Sequence, residues 1–269
     1  MINTSQPIGV FDSGLGGLTI LKALQKKLPN EQFIYYGDTA HLPYGDKSED
    51  ALISYVHAIT QFLKNKGCKM IVVACNSATT VISKAPKIPY KAEQIVEVIS
   101  PIVKLIAKQT KYTNIGIIGT RKTIGSGMFN EALAQKNSRL NITARATPLL
   151  VPLIEDGFLE EKVLFPVFDR YFENFADCEL LIPACTHYPI IYQQIEKYFS
   201  NGLKVLHTPK IIAETVEDYL AQNNLLHTTS TSLPSEYHLS DVTDEFLREA
   251  VLFLEKDVVF TKTLLDPIE

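Results

Sequence analysis

Several features are missing from this 269-residue sequence, and each absence narrows what the chain can be. No apolar run reaches the ~18 residues of a membrane-spanning helix, and Met1–Pro7 is polar, without the charged and apolar regions of a secretion signal. Lys and Arg are dispersed, and a net charge of −4 with a pI near 5.9 argues against a nucleic-acid surface. Neither a membrane nor a nucleic acid is therefore expected as a partner, and the expected location is the cytoplasm. No Gly-x-x-x-x-Gly-Lys loop occurs. Gly14-x-Gly16 would need a glycine at position 19, where Thr19 stands, so the dinucleotide fingerprint is absent too. There are only four cysteines, Cys68, Cys75, Cys178 and Cys185, and no Cys-x-x-Cys. Without a secretion signal they read as free thiols in a reducing compartment. The wide gap between Cys68 and Cys75 is unlike a zinc knuckle, and a strand of that length holds its ends ~20 Å apart, so no metal site is expected.

What is present is the balance of a protein with a real core: 46% hydrophobic and 21% charged residues. Val- and Ile-rich runs alternate with stretches of helical period, the pattern of βα units feeding mainly parallel sheets. Strands are expected at Ile8–Asp12, Gln32–Tyr36, Met70–Ala74, Gln94–Val98, Asn114–Ile118, Asn141–Ala146, Glu179–Pro183, Lys204–Leu206, Tyr237–Leu239 and Asp257–Thr261. Helices are expected at Leu18–Leu28, Ser48–Lys66, Pro101–Thr110, Glu160–Asn174, Ile190–Phe199, Pro209–Gln222 and Thr243–Glu255.

An internal repeat sets the architecture. Cys68-Lys-Met-Ile-Val-Val-Ala-Cys75 and Cys178-Glu-Leu-Leu-Ile-Pro-Ala-Cys185 match in register, and Ile8–Ser13 has a weaker counterpart in Ile115–Thr120. Two similar α/β domains follow. The first is residues 1–98 completed by 210–269 and carries Cys75; the second is residues 99–209 and carries Cys185.

Ligands of open α/β sheets sit at the carboxyl ends of strands, where the next helix begins and favours negative charge. Cys75 and Cys185 both fall there, and a helix N-terminus lowers a thiol pKa toward neutrality. A buried cysteine can simply be a small hydrophobe. That reading fits Cys68 and Cys178 at the strand starts, but two cysteines at equivalent strand tips, each followed by polar side chains, suggest a shared cleft. The loop Asp12–Gly17 is either a tight strand-to-helix turn or an anion cradle with Asp12 as an acid–base partner. Gly37–Gly45 is a long loop at the same edge. His187, two residues past Cys185, is placed to protonate or orient that thiol, whereas Glu155 alone reads as surface. The residues also admit a binding protein for a small dicarboxylate, which would not need two thiols.

Taken together, Gly9-Val-Phe-Asp-Ser-Gly-Leu-Gly-Gly-Leu18, Tyr36-Gly-Asp-Thr-Ala-His-Leu-Pro-Tyr-Gly45, Ala74-Cys-Asn-Ser77, Val151-Pro-Leu-Ile-Glu155 and Cys185-Thr-His-Tyr-Pro189 strongly resemble the bacterial glutamate racemases. The resemblance implies two pseudo-symmetric flavodoxin-like domains with the active site in the cleft between them, and a homodimer. It also implies interconversion of L- and D-glutamate for peptidoglycan without pyridoxal phosphate or any other cofactor. Cys75 would take the proton of D-glutamate with Asp12 assisting, and Cys185 that of L-glutamate with Glu155 and His187 assisting. Asp12, Ser13, Pro43, Tyr44, Gly45, Asn76, Ser77, Thr120, Thr186 and His187 match positions that bind the amino acid. Related aspartate racemases usually carry Cys-Thr-Glu at the second thiol, so Cys-Thr-His points to glutamate. Two departures stand out: Ser77 replaces the family's usual threonine, and Pro183-Ala184 its usual Leu-Gly.

Overall fold

A computed structural model describes residues 3–85, 88–109, 111–200, 202–229, 234–255 and 257–266. The chain begins with β1 (Ile8–Asp12), α1 (Leu18–Lys27), β2 (Phe33–Gly37), α2 (Glu49–Asn65), β3 (Met70–Val73), α3 (Asn76–Ile82) and β4 (Ile95–Glu97). It continues through α4 (Ser100–Ala107), β5 (Asn114–Gly119), α5 (Arg121–Gly125), α6 (Met128–Lys136), β6 (Asn141–Ala146), α7 (Leu150–Glu155), α8 (Glu161–Tyr171), β7 (Leu180–Ala184), α9 (Tyr192–Tyr198) and β8 (Lys204–Val205). Last come α10 (Thr208–Gln222), β9 (Glu236–Leu239), α11 (Asp244–Leu254) and β10 (Thr261–Lys262). Two compact units result, Met1–Val98 with Pro209–Glu269, and Ile99–Thr208, so that Pro209 lies with the first.

The fold is α/β with parallel sheets, as the alternation predicts. The first unit holds the order β10-β9-β2-β1-β3-β4 and the second β6-β5-β7-β8, and each recorded pairing is parallel. Numbered within its own unit, the second sheet runs 2-1-3-4, and the first contains the same run with β9 and β10 added beyond β2. This is the flavodoxin-like order, whose ligand crevice opens between strands 1 and 3, where the winding reverses. β1 and β3 flank that point in the first unit, β5 and β7 in the second.

Of the strands flanking these points, β1, β3 and β7 are buried along their whole length and β5 everywhere but at Asn114, as expected of sheets covered on both faces, and β2 is buried throughout as well. The helices read as amphipathic covers. In α2, Ser48 Oγ accepts from the Ala51 N–H, Glu49 and Asp50 complement the dipole, and Leu52, Val56, Ile59 and Leu63 form the buried stripe.

Three differences from expectation are informative. The last strand lies at Thr261–Lys262 instead of Asp257–Thr261. Among the described residues no ladder pairing is recorded for the Val-Val-Phe run, whose Phe260 ring packs against Tyr237 of β9, and pairing starts where Thr261 comes opposite His238. Four helices, α3, α5, α6 and α7, escape the periodicity reading. α3 is buried at each of its seven positions and so shows no stripe, and α7 carries Pro152, tolerated in a first turn where no intrahelical N–H bond is lost. Finally, the helix expected to reach Thr110 ends at Ala107, and Thr110 itself lies outside the described residues.

Candidate active site

In the first unit β3 runs beside β1, with the Ala74 N–H donating to the Phe11 carbonyl at 2.9 Å, so Cys75 emerges next to Asp12 and Ser13. Cys75 caps α3, and its sulfur accepts from the Ala78 N–H at 3.4 Å. Hydrogen bonds from the Ser13 side chain and backbone also reach the sulfur.

These bonds do not make Cys75 acidic. Burial, reinforced by the Asp12 charge, pushes its pKa up to about 12, and the bonds from Ala78 and Ser13 only partly offset that. The expectation that a helix N-terminus draws this thiol toward neutrality is therefore overturned. In a short helix the terminal dipole is weaker than desolvation plus a neighbouring carboxylate.

The Asp12–Gly17 loop is a cradle filled from within. Asp12 Oδ2 accepts from the Gly14 N–H at 3.1 Å and the Gly17 N–H at 3.0 Å. A Cβ at Gly17 would sit 2.4 Å from the Asp12 Cβ, so only glycine lets the start of α1 close on this carboxylate. The buried Tyr35 hydroxyl donates to the Gly14 carbonyl at 2.7 Å and locks the loop from below.

Pro43, Tyr44 and Gly45 lie where the long loop turns back in a 3-10 turn, Tyr44–Asp46. Tyr44 is buried and donates to Asp38 Oδ2 at 2.6 Å, and His41 Nδ1 lies 2.8 Å from the other Asp38 oxygen. Asn76 and Ser77 form the first turn of α3, both buried, and Asn76 Oδ1 has no hydrogen-bond partner among the described residues. A buried amide oxygen left unpaired is costly unless a ligand donor satisfies it.

In the second unit Gly119 lies opposite Ala184, which brings Thr120 at the tip of β5 beside Cys185 at the tip of β7. Thr120 caps α5, accepting from the Thr123 N–H at 3.2 Å. Cys185 opens no α-helix. A turn through Thr186 and His187 and a 3-10 turn, Tyr188–Ile191, intervene before α9, so the helix-start environment expected here exists only at Cys75.

The second thiol has a histidine instead. His187 is buried; its Nδ1 faces Cys185 Sγ at 3.9 Å and its Nε2 lies 2.8 Å from Glu155 Oε1. Burial disfavours the imidazolium, yet the bonds to Cys185 and Glu155 outweigh it and hold the pKa well above the ordinary histidine range. Glu155, at the end of α7, is thus drawn into the site from what reads in isolation as surface.

The structure therefore gathers Asp12, Ser13, Tyr44, Cys75, Asn76 and Ser77 at the strand ends of one unit, and Thr120, Glu155, Cys185, Thr186 and His187 at those of the other. Tyr35, Asp38, Thr147 and Tyr188 stand beside them and escape the sequence reading: Tyr35 meets Gly14 and Tyr188 meets Thr147 from separate stretches of chain, and Asp38 is taken up by His41 and Tyr44 of its own loop. Cys68 and Cys178 are buried at the opposite strand ends, and burial pushes Cys68 up to about 12. The Pro183 departure falls where it costs least. β8 pairs with β7 only at Leu180 and Leu181, so the edge beyond needs no N–H donor. Among the described residues no group of three His, Cys, Asp or Glu side chains is arranged to hold a metal ion, and no helix is long and apolar enough to cross a membrane.

Comparison with known proteins gives the family. Residues 18–216 match the profile of the Asp/Glu/Hydantoin racemase family. A glutamate racemase of Chlorobaculum parvum is 34% identical over 255 residues, covering 94% of each protein. One from Aquifex aeolicus is 37% identical over 214 residues, covering 79% of this chain and 83% of the relative. The solved structure of a Francisella tularensis glutamate racemase in complex with D-glutamate aligns with a TM-score of 0.88 at 32% identity, covering 96% of each chain.

Proposed function

Because the chain belongs to the Asp/Glu/Hydantoin racemase family and is an amino-acid racemase, an isomerase, we propose that it inverts glutamate at Cα by proton transfer through Cys75 and Cys185, without a cofactor. One observation carries this reading. Each unit presents a cysteine at the same register of the same strand order, beside the point where the sheet winding reverses. Inversion needs a base on one face of Cα and an acid on the other, since a single base returns the proton to the face it left. Two equivalent thiols supply both.

Their surroundings divide the work. Cys75 rests as a neutral thiol, the form that delivers a proton. His187, held as imidazolium, complements negative charge on Cys185, the form that removes one. In the proposed cycle the Cys185 thiolate takes the α-proton of L-glutamate, and the Cys75 thiol protonates the opposite face to give D-glutamate. The reverse reaction starts with Cys75 as thiolate, Asp12 assisting its deprotonation, while Cys185 is protonated with His187 as donor.

Ser13, Pro43, Tyr44, Gly45, Asn76, Ser77, Thr120 and Thr186 are proposed to hold the amino acid with hydroxyls, an amide and backbone groups. Fixed neutral dipoles of this kind stabilise carboxylates and a carbanion-like transition state without reorganisation. The unpartnered Asn76 Oδ1 is an acceptor for the substrate ammonium. Supply of D-glutamate to peptidoglycan, a cytoplasmic location and a homodimer are proposed on the same family resemblance.

The test is polarimetric. Purified protein with D-glutamate and no added cofactor is expected to carry the optical signal to zero, and D-aspartate to respond far more slowly. A constant signal with glutamate, or faster loss with aspartate, overturns the reading.

A further inference from the structure

We infer that Tyr188, anchored through Thr147, is a positioning residue for Cys185, the second unit's counterpart of the Tyr44–Asp38 pair beside Cys75. The inference rests on the two-thiol reading above. Its starting point is the sheet register. Gly37 lies opposite Asp12 and the Asp38 N–H donates to the Asp12 carbonyl at 3.1 Å; Ala146 lies opposite Gly119 and the Thr147 N–H donates to the Gly119 carbonyl at 2.8 Å. Asp38 and Thr147 thus occupy one structural position, the first residue past the second strand of each unit. Each meets a buried tyrosine hydroxyl, Tyr44 at 2.6 Å from Asp38 Oδ2 and Tyr188 at 2.5 Å from Thr147 Oγ1.

The two tyrosines reach that position from different parts of the chain. Tyr44 comes from the loop after β2, whereas Tyr188 follows Cys185 itself, so an alignment of the two sequence halves does not pair them. What they share is the place their hydroxyls occupy and the thiol they flank.

Around Cys185 the bonds close a circuit. The Tyr188 N–H donates to the Cys185 carbonyl at 3.2 Å. Its ring is fully buried and its hydroxyl is tied to Thr147, whose own hydroxyl has the Gly119 carbonyl as acceptor at 3.3 Å. Gly119 in turn pairs with Ala184, the residue before Cys185. The backbone on both sides of the thiol is therefore fixed, on one side by strand pairing and on the other by Tyr188. Burial and the nearby Cys185 charge keep the Tyr188 phenol un-ionised, so it is a fixed dipole and not a proton carrier. Holding Cys185 Sγ in line with a substrate Cα and with His187 is the function of this circuit, because misplacing a reacting group by ~1 Å costs on the order of 100-fold in rate.

The test uses Tyr188→Phe, Thr147→Val and Thr147→Ser in the full chain. The enantiomers are equal in energy, so kcat/KM must fall by one factor in both directions. The side of the defect is read from isotope effects with α-deuterated substrates. Tyr188→Phe and Thr147→Val are expected to lower kcat/KM ~10–100-fold, to raise the isotope effect from L-glutamate and to reduce it from D-glutamate. Thr147→Ser, which keeps the hydroxyl, is expected to stay within ~3-fold of the parent. Unchanged kcat/KM in Tyr188→Phe, or a fall with both isotope effects unmoved, would overturn the inference. Absence of glutamate racemisation in the parent would instead overturn the proposed function, so the two failures are distinguishable.

Discussion

The Nε2 of His187 lies 2.8 Å from Oε1 of Glu155, and this bond turns the other ring nitrogen toward the Cys185 thiol, 3.9 Å away. If His187 is the donor that serves Cys185, His187→Asn lowers kcat ~10²–10⁴-fold, the usual range for a lost acid–base group. The isotope effect should grow with α-deuterated L-glutamate and shrink with the D enantiomer. Glu155→Gln keeps the ring oriented through a weaker bond and should cost less. Isotope effects that stay unmoved, or that shift in the same direction from both enantiomers, would contradict the assignment of this pair to Cys185.

The same histidine gives a pH dependence of stability. Its pKa is raised in the folded state, so folding there favours the bound proton. The contribution is complete below the unfolded histidine pKa of about 6.5 and is lost as pH rises through the folded value. Melting temperatures of the parent and His187→Asn should therefore differ most below about pH 6.5 and converge in alkali. A gap that widens as pH rises would have the wrong sign.

At Cys75 the Asp12 carboxylate is the neighbouring charge that disfavours the thiolate. Asp12→Asn removes that charge while keeping an oxygen for the Gly14 and Gly17 N–H groups. Iodoacetamide labelling of Cys75, followed by peptide mass spectrometry across pH, should have its midpoint shifted to lower pH in the variant. A midpoint that stays in place or rises would show that burial alone holds the thiol neutral.

Far from the thiols, Lys69 at the entry to β3 donates to Glu31 Oε2 at 2.6 Å and to the Thr4 and Leu225 carbonyls at 2.7 and 2.9 Å, with the Lys69 and Glu31 side chains 0% and 2% exposed. Removing one partner leaves a buried charge unpaired, so Glu31→Ala should destabilise by ~3–5 kcal/mol in urea unfolding. Lys69→Met combined with Glu31→Leu should recover most of that loss. A loss under ~1 kcal/mol in Glu31→Ala would mean that the two carbonyls suffice.

Legibility in the sequence follows the range of the interaction. The apolar runs that lead into Ala74-Cys75 and Ala184-Cys185 are visible as strands because a sheet buried on both faces demands nothing else of them. α3 is not visible, because a helix buried all round carries no periodic stripe. The protonation of Cys75 is read in the wrong direction from its helix-start position, since the opposing terms, burial and the Asp12 carboxylate, come from a neighbouring strand. Tyr35, Asp38, Thr147 and Tyr188 are ordinary residues in isolation. Only the register that sets Gly37 against Asp12 and Ala146 against Gly119 brings them to the strand ends from which the two thiols emerge.

The most direct test of the two-base account is the fate of the α-hydrogen at low conversion in D2O. Starting from D-glutamate, the account predicts L-glutamate that carries deuterium at Cα from the first turnovers, while the recovered D-glutamate is still protiated, because the atom delivered by Cys185 comes from solvent and the one removed stays with Cys75. Early L-glutamate that retains the substrate's own proton, or deuterium entering both enantiomers at the same rate, would mean that one base serves both faces and would contradict it.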